Sequence, residues 1–166
     1  MLLICAASSG HNLTLANRLA AMAEEMGLPH QVVDLTKVDL PLYTPARDDE
    51  GRPAALDPLE ASFASSTALF FVAPEYNGSI PPTLSNAIAW LSTQTDDFRA
   101  LFTLKPTAIA THSGGGGQKV LVAMRLQLSH LGATVLGREI ITNRKKPLND
   151  ASARALLQQL SALMTT

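Results

Sequence analysis

The stretch Thr67-Ala-Leu-Phe-Phe-Val72, running on through Ala73-Pro-Glu-Tyr-Asn-Gly-Ser-Ile-Pro-Pro82 into Thr83-Leu-Ser-Asn-Ala-Ile-Ala-Trp-Leu91, decides how this chain folds. Its first six residues are a short apolar run of the kind that forms a strand buried on both faces. Its last nine place Leu84, Ala87, Ile88 and Leu91 at helical spacing. The ten residues between them form a stiff connection. Asn77-Gly78 favours a tight turn with positive φ, and Pro74, Pro81 and Pro82 fix φ on either side. A loop this rigid, with one tyrosine and several free backbone N–H groups, suits a flat polar ring; the same residues also make an ordinary strand-to-helix turn.

Working outward, apolar runs alternate with helix-period segments along the whole chain. Strands are predicted at 2–6, 31–34, 68–73, 107–111 and 134–136. The first helix carries Leu15, Leu19, Met22 and Met26 and stops at Gly27. The helix after the fourth strand carries Leu121, Met124, Leu128 and Leu131 and stops at Gly132. The last carries Leu156, Leu160 and Leu163 behind Asp150, read as its N-cap. Residues 40–57, rich in proline and charge, read as a surface loop, followed by a short helix over 58–65. Strand–helix alternation with apolar strands implies a parallel sheet covered on both faces. About five strands fit a flavodoxin-like doubly wound five-stranded domain spanning 1–166, with strand order 2-1-3-4-5 and a ligand at the switch point between strands 1 and 3.

Composition narrows the function. The 166 residues carry 46% hydrophobic and 16% charged side chains with a formal net charge of −1, which excludes a disordered chain and gives no global charge for nucleic acid. No apolar run reaches the length of a membrane span. The N-terminal Met1-Leu-Leu-Ile-Cys-Ala-Ala7 lacks a basic region and reads as the first strand of a cytoplasmic protein. The single cysteine, Cys5, excludes an internal disulfide and reads as buried strand filler. His11, His30, His112 and His130 have no metal spacing, so no metal is expected.

Three loops remain at strand carboxyl ends. The first, Ala7-Ser-Ser-Gly-His-Asn-Leu-Thr14, opens the first helix. Ser8, Ser9 and Thr14 offer hydroxyls, His11 a ring nitrogen, and the helix N-terminus free N–H groups that favour an anion. Asn12 and its neighbours are also common capping residues. The loop is neither Gly-x-Gly-x-x-Gly nor a P-loop. The second is 73–82. The third, Thr111-His-Ser-Gly-Gly-Gly-Gly-Gln118, brings Ser113, Gly114, Gly115 and Gly116 with no side-chain wall, so its amides can lie against a ring or a phosphate. Glu75 reads as a loop carboxylate, paired locally or exposed, with a general base as the alternative. Arg144-Lys-Lys146 reads as a solvated basic patch, with a contact to an anionic nicotinamide phosphate as the alternative. Trp90 reads as core or subunit contact.

Together these loops resemble the NADPH-dependent FMN reductase family, which includes quinone, azo-dye and chromate reductases. The resemblance runs in order over nearly the whole chain and is most specific at Pro74-Glu-Tyr-Asn-Gly-Ser-Ile-Pro81, Asn86-Ala-Ile88 and Trp90-Leu-Ser92. It implies that Pro74, Glu75, Tyr76, Asn77 and Gly78 hold the flavin edge through backbone amides. It implies that Ser8, Ser9, His11, Asn12 and Thr14 grip the FMN phosphate, and that Ser113, Gly114, Gly115 and Gly116 close the third side. His11 stands where the family carries Arg, which removes a permanent bidentate donor. The implied activity is a relay of hydride from NADPH or NADH through bound FMN to a small acceptor such as a quinone, azo compound or flavin. No acid–base residue is required, and no nucleic acid or membrane partner is implied. The resemblance also implies a homodimer or homotetramer, with the helix after the second loop near the contact. Two other classes stay open: a flavodoxin-type electron carrier, and a flavin-free binding module on the same fold.

Overall fold

The protein is described here as a computed structural model covering residues 1–93 and 96–164, so the last two residues of the expected 1–166 span lie outside the described residues. The apolar runs become parallel strands: β1 (Leu2–Ala6), β2 (His30–Asp34), β3 (Ala68–Val72) and β4 (Pro106–His112). β1 lies between β2 and β3, with Ile4 opposite Val32 on one side and Phe70 on the other. β1 and β3 are buried at every position because both faces are covered, which is why they read as unbroken apolar runs rather than alternating ones. With β5 (Thr134–Val135) beside β4, the order is β2-β1-β3-β4-β5, as the sequence predicts.

At the far edge the sequence reading needs refinement. β5 is only Thr134–Val135, paired with the start of β4, and a further strand, β6 (Ile140–Thr142), pairs with its end. The fifth position of the sheet is thus filled by two short strands in tandem.

Helices α1 (His11–Glu25) and α6 (Asp150–Met164) cover one face. There Leu15, Leu19, Leu156 and Leu160 pack on Leu2, Ile4, Phe70 and Ala108. Helices α3 (Leu56–Ser65), α4 (Pro82–Ser92) and α5 (Gln118–His130) cover the other, on Leu3, Cys5, Phe71 and Ile109. Cys5 is fully buried, and burial pushes its thiol pKa well up, so it is inert packing. Among the described residues no helix is long and apolar enough to cross a membrane.

Three local expectations are corrected. The 40–57 loop contains a one-turn helix, α2 (Pro45–Asp49), because Thr44 caps it through its hydroxyl on Arg47 N at 3.1 Å and Pro45 fits its first position. The cap of α6 is Asn149, whose Oδ1 accepts from Ser152 N at 2.9 Å; Asp150 instead pairs with Arg18 at 2.6 Å. Leu163 lies on the exposed side of α6 rather than in the core.

α4 also fixes the 40–43 segment. The Asn86 carboxamide accepts from Tyr43 N at 2.8 Å and donates to Pro41 O at 3.0 Å, and Trp90 Nε1 donates to Pro41 O at 2.7 Å. Trp90 is therefore core, as are Ile88 and Leu91.

Candidate functional site

All three unusual loops emerge at the carboxyl ends of β1, β3 and β4. β1 and β3 are neighbours in the sheet but lie on either side of its reversal in order, and a crevice opens there. A cavity of about 470 Å³ fills it, within the size range of small-molecule sites. Its wall is built from Ser8, Ser9, Gly10, His11 and Asn12 of the first loop, Pro74 and Tyr76 of the second, and His112 and Gly114 of the third. Arg144, from the turn after β6, completes it. Among the described residues no carboxylate lines this cavity.

The first loop leaves α1 open at its N-terminus. Gly10 occupies the cap position and no side chain caps the helix, so the first-turn N–H groups face the crevice with the positive end of the helix dipole. Nothing lies within 4 Å of where a Cβ on Gly10 or Gly114 would stand, so the backbone of these two wall residues is bare to the cavity. Bare backbone donors, hydroxyls and an absence of acid fit a planar ligand carrying a phosphate.

The second loop is held in one shape. Tyr76 N donates to Ser79 O at 3.1 Å and Ser79 N to Tyr76 O at 3.0 Å, while Asn77 and Gly78 have φ of 51° and 74°. Both central residues with positive φ make this a type I′ turn, the geometry the Asn-Gly pair favours. Tyr76 stays about half exposed (50%), its ring free to meet a ligand. Glu75 turns away: its carboxylate accepts from Val120 N at 3.3 Å in the first turn of α5. It caps a helix whose own N-cap, Gly117, has no side chain to offer. Gly117 is needed on two counts, a φ of 76° and a Cβ position only 2.7 Å from Thr111 Cγ2.

Asn12 is buried, and its carboxamide bonds both backbone groups of His112, so it braces the first loop against the third. The ring of His112 lies 4.4 Å from that of His11, and its Nδ1 is 3.0 Å from Thr142 Oγ1. Burial, with the nearby charges of His11 and Arg144, holds the His112 pKa below the usual imidazole range.

Of the residues predicted from sequence, Ser8, Ser9, His11, Asn12, Pro74, Tyr76 and Gly114 line the cavity. Asn77, Gly78, Ser113, Gly115 and Gly116 belong to the same loops without lining it. Thr14 faces a smaller neighbouring cavity of about 220 Å³ beyond the His11–His112 pair. Gly10 and His112 sit inside loops the sequence singles out but are not among its site residues, and Arg144, read there as part of a basic patch, carries no local sign of facing this cavity.

The family model for NADPH-dependent FMN reductase matches residues 1–147. An NAD(P)H-dependent FMN reductase of Pseudomonas aeruginosa is 31% identical over 158 residues, covering 87% of this chain and 84% of that protein. A quinone reductase of Escherichia coli is 35% identical over 117 residues, covering 66% of this chain. The match takes in 61% of that quinone reductase, so the likeness to it is partial. Among solved structures, the flavoenzyme NAD(P)H:(acceptor) oxidoreductase FerB from Paracoccus denitrificans superposes with a TM-score of 0.75. It covers 99% of this chain and 94% of its own at 21% identity, a likeness of fold.

Proposed function

This chain belongs to the NADPH-dependent FMN reductase family, and on that premise we propose that it is an FMN-dependent NAD(P)H oxidoreductase that reduces a quinone, azo compound, flavin or similar small acceptor. The observation that carries this reading is the cavity at the switch point. It brings together an uncapped helix N-terminus, a half-exposed tyrosine and bare glycine backbone, and among the described residues no carboxylate lines it.

FMN, when bound, supplies the hydride chemistry, accepting from NAD(P)H and passing to the acceptor. The chain supplies placement. Ser8, Ser9, His11 and the first-turn N–H groups of α1 take the phosphate, with Thr14 behind them. Pro74 and Tyr76, with the rigid Asn77-Gly78 turn, set one side of the ring site. Gly114 sets the other, in a loop anchored by Ser113, whose N–H donates to Thr142 O at 3.1 Å, with the N–H groups of Gly114, Gly115 and Gly116 left to meet negative charge on the ring edge. Asn12 holds the first and third loops in register, and Glu75 holds the second loop to α5. Tyr76 bounds the space open to donor and acceptor.

The domain spans the whole chain in this reading, and a cytoplasmic location fits the pyridine nucleotide donor and the free Cys5 thiol. Assembly is proposed as a homodimer or homotetramer. Ile88, Trp90 and Leu91 are occupied within the chain's own core. On α5, Val122 (66% exposed) and Leu126 (75%) stand one turn apart and offer an apolar surface for contact.

The test is a visible spectrum of the purified protein after FMN is added and excess removed. A retained band that bleaches with NADPH and returns with benzoquinone supports the oxidoreductase. A retained band that NADPH leaves untouched assigns an electron carrier instead. The absence of any retained flavin overturns both and leaves a binding module.

A further inference from the structure

We propose that Arg144, carried on the turn after β6, is the permanent cation of the phosphate site and fills the role that the first loop leaves to His11. The inference rests on the FMN reading and names a residue for it that lies outside all three loops.

The sheet delivers Arg144 there. β6 pairs with the end of β4 so that Thr142 stands opposite His112. Thr142 Oγ1 donates to Thr111 O at 3.2 Å and lies 3.0 Å from His112 Nδ1, which locks the end of β6 to the third loop. The chain then turns at once. Asn143 N donates to Lys146 O at 2.9 Å and Lys146 N returns to Asn143 O at 3.2 Å. Asn143 Oδ1 accepts from Lys145 N at 2.9 Å and from Lys146 N at 2.8 Å. Arg144 sits at the head of that braced turn, two residues from Thr142, and its side chain joins Ser8, Ser9, Gly10 and His11 in the cavity wall.

Its charge is available. Among the described residues the arginines that form ion pairs are Arg18, Arg47, Arg52, Arg125 and Arg154, and none of those pairs involves Arg144. Among the described residues the cavity wall offers it no carboxylate. His112, its ring 4.4 Å from that of His11, is a poor substitute: burial, then the nearby His11 and Arg144, disfavour its protonation. A guanidinium stays charged at every working pH and binds a phosphate through two parallel N–H groups. The neighbouring basic residues point elsewhere: Lys146 lines a separate small cavity with Glu139 and Pro147, and Lys145 lies in the exposed turn.

The test is a fluorescence titration of the apoprotein with FMN and, in parallel, riboflavin, which lacks the phosphate. It uses the natural chain, Arg144→Ala, Arg144→Lys and Lys145→Ala, with thermal melts as the check on folding. Loss of a charge-assisted pair predicts that Arg144→Ala weakens FMN roughly 10- to 100-fold. Riboflavin affinity and Lys145→Ala should be unchanged, Arg144→Lys intermediate, and the salt dependence of FMN binding shallower without Arg144. Unchanged FMN affinity in a folded Arg144→Ala protein overturns the assignment, as does equal loss of both flavins. So does a rise in KM for NADPH but not NADH with FMN affinity intact, since the charge would then serve the pyridine nucleotide. A natural chain that binds neither flavin overturns the FMN reading itself.

Discussion

The carboxamide of Asn12 grips the backbone of His112 from both sides: Nδ2 donates to His112 O at 3.0 Å and Oδ1 accepts from His112 N at 2.8 Å, across 100 residues of sequence. One side chain at the start of α1 thus sets the distance between the first and third loops. Asn12→Ala leaves both His112 groups without partners in a part-buried setting, at a cost of about 1–3 kcal/mol. Thermal denaturation should show that loss, and FMN affinity should fall with it because the two walls of the cavity lose their register. Asn12→Asp keeps the acceptor but sets a carboxylate oxygen against His112 O and puts a negative charge in the cavity, so its FMN affinity should fall below that of Asn12→Ala. An Asn12→Ala protein with unchanged melting and unchanged flavin affinity would remove the strut from the account.

The parts of this architecture that sequence displayed are those set by local chemistry. β1 and β3 are continuous apolar runs because both their faces are covered, and Asn77-Gly78 announces a type I′ turn because few other pairs take positive φ twice. β6 was hidden because three residues, Ile140–Thr142, become a strand only through the end of β4, a partner some 30 residues back. Arg144 was hidden with it: a charged triplet carries no sign of which loop it will face. Asn149 and Asp150 are both good capping residues side by side, and only the start of the helix chooses between them. The role of Asn12 as a strut, rather than a plain cap, needs His112 to be in place.

Glu75 offers a separate check on how the second loop is held. Its carboxylate accepts from Val120 N at 3.3 Å at the start of α5, next to a cap residue that is glycine. Glu75→Ala should cost about 0.5–2 kcal/mol, the usual worth of an N-terminal cap, and hydrogen exchange at the Val120 amide should quicken. Glu75→Gln retains an acceptor oxygen and should restore most of both. Equal exchange rates in all three proteins would mean that the contact contributes nothing.

His112 gives the apoprotein a signed pH dependence. Its folded pKa is held below the ordinary 6.5, first by burial and then by the charges of His11 and Arg144. Between the folded value and 6.5 the unfolded chain therefore binds more protons than the folded one, so stability rises with pH across that window and levels off above it. The difference in melting temperature between the natural chain and His112→Gln should accordingly change as pH falls from 7 through 6.5 and below, while the two profiles run parallel above it. Comparing the two proteins cancels the carboxylates they share. A constant difference from pH 5 to 8 would contradict the depressed pKa.

Gly78 tests where the ring lies. Its φ of 74° is the second positive angle of the type I′ turn, and a Cβ there would stand 3.3 Å from Lys119 Cδ. A valine in that conformation is strained by roughly 1–2 kcal/mol, with β-branching adding to it. Gly27, with φ of 67° and nothing within 4 Å of its Cβ position, provides the control: Gly27→Val carries the same backbone strain at the far end of α1. Both variants should melt lower than the natural chain while keeping its circular dichroism. Only Gly78→Val should lose FMN affinity, because only there does relief of the strain reshape the turn beside Tyr76. Unchanged FMN affinity in Gly78→Val would place the isoalloxazine away from this loop, and equal losses in both variants would make the effect one of stability alone.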